Sequence, residues 1–481
     1  MIYDGFRIFP LLSEIAGMDL FLEGNGAMKV VRSTERKQLE KLYLENGNRF
    51  LLLYGTAYTM KESLLSDFLS DKDYFYYRSR NVSPEEQKRI FLESIGKRFD
   101  CDLKDADYAK ALGQIKKAEG KHFVLVLDEF QYFLRKDQEI MKALSDLKAG
   151  KLTSCPVMIV LAASSLAWTV RDFDEAAGKA VAAIDERIKL SDVSFLDVVR
   201  AFPHYSVADA VRTYGILGGV PAYLDAWSER VSVKENVIRT MLTPDGLLYR
   251  AAEHYLTDEL RELGVYNTIL ASMARGNEKL NDLYQDTGYS RAKISVYLKN
   301  LSEFDAITKV VSFETGGWDN AKKGIYRISN HFLRFWFTFI YPNLSELALM
   351  TPGRFYDRFI APGLGAYLRP TFSSVCTEYL ELMNLVGKTP IKLVRMGTWI
   401  GKQGTIDIVG QNEIRENIVA VCNWDDKLLT YERYELLLEN MEQARIKAKV
   451  IYLFSATEFD SRLKMLEKED SHIVLVDMKE L

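Results

Sequence analysis

Two stretches of this chain carry residue types that handle phosphate and magnesium. In the first, Gly55 is followed by Thr56, Ala57, Tyr58, Thr59, Met60, Lys61, Glu62 and Ser63. A glycine loop between a strand and a helix offers backbone N–H groups and a helix N-terminus to an anion. In the full motif a second glycine admits phosphate to the backbone, a Lys reaches the outer phosphates, and a hydroxyl after it holds magnesium. Gly55 and Lys61 stand at that spacing, but Met60 takes the second glycine's place and Glu62 the hydroxyl's. A side chain at 60 obstructs the approach of phosphate and restricts the backbone. A carboxylate at 62 either repels polyphosphate or itself holds magnesium. Ser63 comes one residue late, which on a helix turns its hydroxyl away by about 100°.

The second stretch runs from Phe123 through Val124, Leu125, Val126 and Leu127 to Asp128 and Glu129. An apolar strand ending in two acids suits magnesium held by Asp128 through water, with Glu129 orienting or deprotonating an attacking water. The plainer alternative is a core strand with solvated acids at its tip. Ser164 and Ser165 follow the next apolar run, and read either as sensors of a terminal phosphate or as an ordinary turn.

Elements must place these groups together. Apolar runs at 50–54, 74–77, 123–127 and 157–161 lack alternation, as strands covered on both faces do. Helical patterns at 85–99, 108–119 and 140–149 separate them, which implies a mainly parallel sheet in three layers. After about residue 195 the pattern turns helical, with helices at 195–201, 206–216 and 233–241. Residues 266–274, 280–287 and 290–304 then read as three helices, with a turn at Gly288, before apolar runs at 307–313 and 324–328. That is winged-helix order. From about 355 a second α/β unit begins: a helix at 372–385, strands at 404–409 and 418–422, a helix at 431–447, and strands at 449–454 and 473–476.

Bulk properties set the bounds. A chain of 481 residues exceeds one ordinary core. Its net charge of −4 excludes a globally basic nucleic-acid coat, though not a local basic face. Cys101, Cys155, Cys376 and Cys422 lie far apart, without a CxxC pair, which argues against structural zinc and for lone buried thiols in a reducing compartment. Asp4, Arg7, Glu14 and Asp19 interrupt the apolar N-terminus, so a signal peptide is not expected. The apolar stretch at 331–341 contains Arg334 and is too short for a bilayer, so it reads as a buried helix. No membrane partner and a cytoplasmic location are the expectation.

The order of the glycine loop, the acidic strand, Ser164, the segment at 186–203 and the run Tyr214, Gly215, Ile216, Leu217, Gly218, Gly219, Val220, Pro221 resembles the archaeal-type ATPase family. These are P-loop NTPases related to the STAND and AAA+ groups. The resemblance spans roughly residues 30–480, and 195–224 is its most specific part. It implies ATP and magnesium as cofactors, with Lys61, Glu62, Ser63 and Ser164 near the phosphates. It also implies that the Gly-x-Pro-like element ending at Pro221 lies against the adenine, and that Arg187 is a basic neighbour of the nucleotide. A helix cap and turn, and a surface ion pair, are the respective alternatives.

On the third helix of the winged-helix segment, Ile294, Leu298 and Leu301 face the core, leaving Arg291, Lys293 and Lys299 as candidates for DNA contact. The same face serves equally as a protein-interaction surface. The C-terminal unit resembles the domain of unknown function that follows the ATPase in this family and is related to PD-(D/E)xK nucleases. Glu378 and Asp407 match two of its acids. Val421 and Asn423 stand where Glu and Lys are expected, and Asp425 and Asp426 fall beyond the strand. Phosphodiester cleavage needs both missing groups.

The expected fold class is therefore α/β, as a three-layer P-loop NTPase domain, a helical segment with a winged helix, and a restriction-endonuclease-like unit. The expected divisions are a lead-in at 1–28, the ATPase-like domain at 29–194, a helical lid or linker at 195–262, the winged helix at 263–345 and the nuclease-like domain at 346–481. The function implied is a nucleotide-dependent switch with weak or no hydrolysis. A pseudoenzyme scaffold without nucleotide and a DNA-binding effector with residual nuclease activity stand as alternatives.

Overall fold

The computed structural model describes residues 32–116, 121–134, 139–314, 324–402, 404–424 and 427–480. The lead-in at 1–28 and the pair Asp425 and Asp426 lie outside these residues.

The apolar runs form a five-stranded parallel sheet. Its strands are β1 (Arg49–Gly55), β2 (Tyr74–Arg78), β3 (Phe123–Asp128), β4 (Val157–Ala163) and β5 (Glu186–Leu190), in the spatial order β2-β3-β4-β1-β5. Alternate residues of each run feed two different cores. Phe50, Leu52, Leu125, Leu127, Ile159 and Leu161 join a cluster beneath helices Pro84–Phe99, Tyr108–Leu112 and Glu139–Lys148. Leu51, Leu53, Val124, Val126, Met158 and Val160 join another beneath helices Ser33–Leu44 and Lys61–Leu69. Continuous apolarity is thus period-two side-chain direction with both faces covered. Truncating a fully buried Leu here, such as Leu52, costs roughly 2–5 kcal/mol.

Three differences from the sequence expectation have physical causes. Strand β5 buries only Ile188 and Leu190 and leaves Arg187 and Lys189 exposed, so an edge strand with one wet side gave no apolar run. The helix expected over 108–119 stops at Leu112 before Gly113, and residues 117–120 lie outside the described set. The helix expected from 372 instead spans Ala361–Leu385 and carries Pro370 inside it. Proline normally ends a helix, but burial of Leu364, Leu368, Thr371 and Phe372 on the same face holds the two halves in line.

The middle of the chain is helical. Ser194 caps helix Phe195–Ala201 through a reciprocal box with Asp197, and Ser206 and Ser232 cap helices Val207–Leu217 and Val233–Val237. Helices Leu263–Ala274, Leu280–Thr287 and Arg291–Glu303 follow. They precede an antiparallel ribbon of β6 (Ile307–Val310) and β7 (Ile325–Ile328). The apolar 331–341 stretch is buried as helix His331–Phe335 continued by a π-helical turn, Trp336–Ile340. No described helix is long and apolar enough to cross a membrane.

The last sheet is mixed, with β8 (Arg395–Ile400), β9 (Thr405–Gln411), β10 (Asn417–Asn423), β11 (Ala448–Ser455) and β12 (Ile473–Asp477). Strands β10, β11 and β12 are parallel, while β9 and β8 run antiparallel beside them. One face packs on helix Tyr431–Ala444, and the other shares a continuous core with helix Ala361–Leu385 and the helical middle. Within that shared core Cys376 and Cys422 sit side by side, so these two thiols are buried but not solitary.

Candidate functional site

Strand β1 delivers Gly55 to the sheet rim, where a side chain would strike the Leu190 carbonyl oxygen 2.8 Å away. The turn after it is strapped from outside by Arg32. Its guanidinium donates to the Thr59 carbonyl at 2.8 Å and the Ser191 carbonyl at 2.9 Å, and pairs with Glu35 at 2.7 Å. Met60 then adopts φ 55° and ψ 38°, the left-handed conformation that a glycine takes freely. The turn keeps its shape without its glycine, at a strain of about 1 kcal/mol. Helix Lys61–Leu69 starts there, and among the described residues no side chain caps its first N–H groups.

Lys61 is nearly inaccessible at 4% exposure, and its ammonium contacts Asp128 and lies 3.6 Å from Glu129. The acids at the tip of β3 therefore face the loop. Asp128 also accepts a hydrogen bond from the Tyr76 hydroxyl at 2.6 Å. Burial first, then that bond, holds the Tyr76 phenol well above its usual range. Glu129, itself at φ 51°, accepts from the Ser164 hydroxyl at 2.5 Å and from the Gln131 amide at 2.5 Å. Glu62 is exposed and pairs with Arg78 at 2.7 Å, and Arg78 reaches to 4.0 Å from Glu129. Ser63 lies half-buried in the same helical turn. Carboxylate oxygens of Glu62, Asp128 and Glu129 come within 4.8 Å of one another, a hard-oxygen set whose chemistry fits magnesium.

The Gly-Gly-Val-Pro element reaches the loop through backbone. The Ala222 N–H, next to buried Pro221, donates to the Tyr58 carbonyl at 3.2 Å, and the Val193 N–H donates to Gly219 at 2.7 Å. Gly219 is obligatory: a side chain there would fall 1.8 Å from the Val193 carbonyl oxygen. The Tyr58 ring packs on Tyr223 and Tyr255, and its hydroxyl donates to Asp258 at 3.0 Å. The next residue, Glu259, accepts from the Leu166 and Ala167 N–H groups at 2.9 and 3.0 Å and from the Ser165 hydroxyl at 3.0 Å. Burial raises the Glu259 carboxyl despite these bonds.

Other candidates sit elsewhere. Arg187 pairs with Asp174 at 2.5 Å and covers the Phe173 ring, so its guanidinium is engaged in the ion pair rather than with the loop. Arg291, Lys293 and Lys299 are exposed on helix Arg291–Glu303. There Arg291 lies 4.1 Å over Tyr284 while donating to Asn281, and Lys293 lies 4.4 Å over Tyr289. Glu378 spends its carboxylate on the Phe195 and Leu196 N–H groups at 3.0 and 2.9 Å, clamping a helix N-terminus. Asp407 accepts from the Cys422 N–H at 2.8 Å, and Asn423 donates to the Lys427 carbonyl at 3.0 Å. Burial raises both the Glu378 and the Asp407 carboxyls.

Sequence reasoning missed Arg32, Tyr76, Arg78, Gln131 and Glu259. Arg78 left a signal, since it ends an apolar strand as Asp128 does and is its register partner. Arg32 and Glu259 left none, because each acts on backbone far along the chain.

Comparison with known proteins adds the following. Residues 336–444 match the DUF234 family, described as archaea bacterial proteins of unknown function. The match runs from the Trp336 turn to the end of helix Tyr431–Ala444. An uncharacterized protein of Methanocaldococcus jannaschii is 23% identical over 401 residues, covering 83% of this chain and 88% of that one. Among solved structures, a Walker-type ATPase of Pyrococcus abyssi aligns at 16% identity and a TM-score of 0.44, covering 64% of this chain and 95% of that one. The Aeropyrum pernix ORC2 protein, solved as ADPNP-ADP complexes, aligns at 12% identity and a TM-score of 0.42, over 68% and 96%. This chain thus matches the DUF234 family at 336–444, behind a parallel five-stranded sheet in the order β2-β3-β4-β1-β5.

Proposed function

We propose that the chain is an ATP-binding switch that uses magnesium and turns nucleotide over weakly or not at all. The observation that carries this reading is Lys61: its ammonium is buried against Asp128 and Glu129, at the start of a helix whose N-terminus no side chain caps among the described residues. A phosphate chain entering there takes the free N–H groups and draws Lys61 from the acids. Asp128 and Glu62 are the residues that would hold magnesium, which supplies neutralisation of phosphate charge. Glu129 is placed to orient a water, but Ser164 and Gln131 already occupy its carboxylate, and Met60 narrows the approach to the backbone. Both features favour binding over turnover. Tyr58, bonded to Pro221's helix and to Asp258, supplies a route from loop to helical lid.

The test is thermal unfolding with ATP and magnesium. Ligand at a hundredfold above Kd stabilises by about 2.7 kcal/mol, so a clear rise in Tm is expected, lost in Lys61→Ala. No rise at millimolar ATP overturns the reading and leaves the scaffold alternative. Should Lys61→Ala not fold, isothermal titration of ATP and magnesium into the parent decides the same question.

A second reading concerns the three helices and ribbon at 263–328, taken as a winged helix. Arg291, Lys293 and Lys299 are exposed on helix Arg291–Glu303, as are Val296 and the neighbouring Tyr284, a combination suited to duplex phosphate and base edges. Under this reading Arg291→Ala/Lys293→Ala weakens duplex DNA binding and lowers the salt slope by roughly two. Equal affinity for parent and variant rejects it. The C-terminal sheet, taken as nuclease-like, lacks the charged groups for cleavage at Val421 and Asn423.

A further inference from the structure

Glu62 is the residue that most changes the chemistry of the loop. Its carboxylate, with those of Asp128 and Glu129, forms a group whose oxygens lie within 4.8 Å. Two cations hold that group together: Lys61 between Asp128 and Glu129, and Arg78 between Glu62 and Glu129. Three acids against two bases leave the mouth net negative. Beside them Gln131, 3% exposed, turns its amide nitrogen to Glu129 and keeps a buried oxygen that has no partner among the described residues. That is a further oxygen donor at the edge of an all-oxygen group.

A metal-free triphosphate brings about four negative charges to within a few ångströms of this group, where water screens them poorly. Lys61 and Arg78 are already engaged by the acids, and the helix N-terminus alone carries only about half a positive charge, too little to neutralise such an anion. With a hydroxyl at position 62 the excess charge would be absent. A divalent cation resolves the conflict: it takes the place of the two side-chain cations among the carboxylates and frees them for phosphate.

We infer that Glu62 makes a divalent cation obligatory for nucleotide at this loop, acting as a metal ligand so that the site accepts polyphosphate only as its metal complex. This rests on the proposed nucleotide binding. A fluorescent ATP analogue is titrated into the parent, Glu62→Ser and Glu62→Gln, once with excess magnesium and once with EDTA. Glu62 is more than half exposed, so both variants keep the fold. The parent is expected to lose on the order of a hundredfold in affinity without metal, and each variant less than about tenfold. Equal parental affinity in the two buffers overturns the inference while leaving nucleotide binding intact. So does a variant with the parent's full metal dependence. Absence of binding by parent and variants in every buffer instead strikes the nucleotide reading, and this inference falls with it.

Discussion

The two five-stranded sheets each set an aspartate near a strand end, and treat it in opposite ways. In the N-terminal sheet the parallel strands point their C-terminal ends to one rim, so the loop after β1 and the tips of β2 and β3 converge. Asp128 there meets the Lys61 ammonium and the Tyr76 hydroxyl. In the C-terminal sheet β9 runs against β10, and Asp407 meets one backbone N–H, that of Cys422. Val421 and Asn423 bring no charge to it. A buried carboxylate held by a cation is a poised group, whereas one held by backbone has become part of the framework.

The largest expected effect tests that contrast directly. Lys61→Met leaves Asp128 and Glu129 buried without their cation and should cost about 3–5 kcal/mol in denaturant unfolding. Asp407→Asn removes a charge that burial already disfavours, and should change stability by less than about 1 kcal/mol or raise it. Similar losses for both would erase the distinction.

A middle-sized effect concerns the framework carboxylates. Glu259→Ala and Glu378→Ala each orphan two N–H groups at a helix start, and should cost about 1–3 kcal/mol apiece. Because Glu259 also anchors Ser165, beside the loop, its variant should lower ATP affinity while the Glu378 variant should not. Isothermal titration separates the two.

The smallest effect is one of pH. Burial, with Arg334 nearby, depresses His331 from its ordinary value to about 3, while its ring bonds the Tyr214 carbonyl at 2.7 Å. Between that value and about 6.5 the unfolded chain binds more protons than the folded one. His331 therefore contributes stability that is complete above about 6.5 and is lost as pH falls toward 3. Melting curves across that window should be flatter for His331→Gln than for the parent, and parallel curves would show that His331 does not set the acid limb.

Much of the N-terminal sheet was legible because its strands are covered on both faces, which writes apolar runs such as 123–127 and 157–161. Strands β5 and β8 were not legible: one has a wet face, and the other is half-buried throughout. Long helix Ala361–Leu385 was read short because Pro370 is a local stop signal that tertiary packing overrides. At the site, Gly55, Lys61, Asp128 and Glu129 announced themselves by spacing along strands. What spacing could not show was which side chain would answer each charge. Tyr76 and Arg78 belong to a strand brought beside β3 only by sheet order, and Arg32 acts on a carbonyl rather than a side chain.

The adjacent pair Asp258 and Glu259 closes helix Ala251–Glu259, one gripping Tyr58 and the other the start of helix Leu166–Arg171. Ser164, two residues before that second helix, grips Glu129. Beside the direct Lys61–Asp128 pair, loop and acid strand are thus joined a second time through Asp258 and Glu259, just before helix Leu263–Ala274 begins. A group that displaces Tyr58 therefore disturbs the same two residues as one that releases Glu129, and both disturbances arrive within a few residues of the three-helix segment.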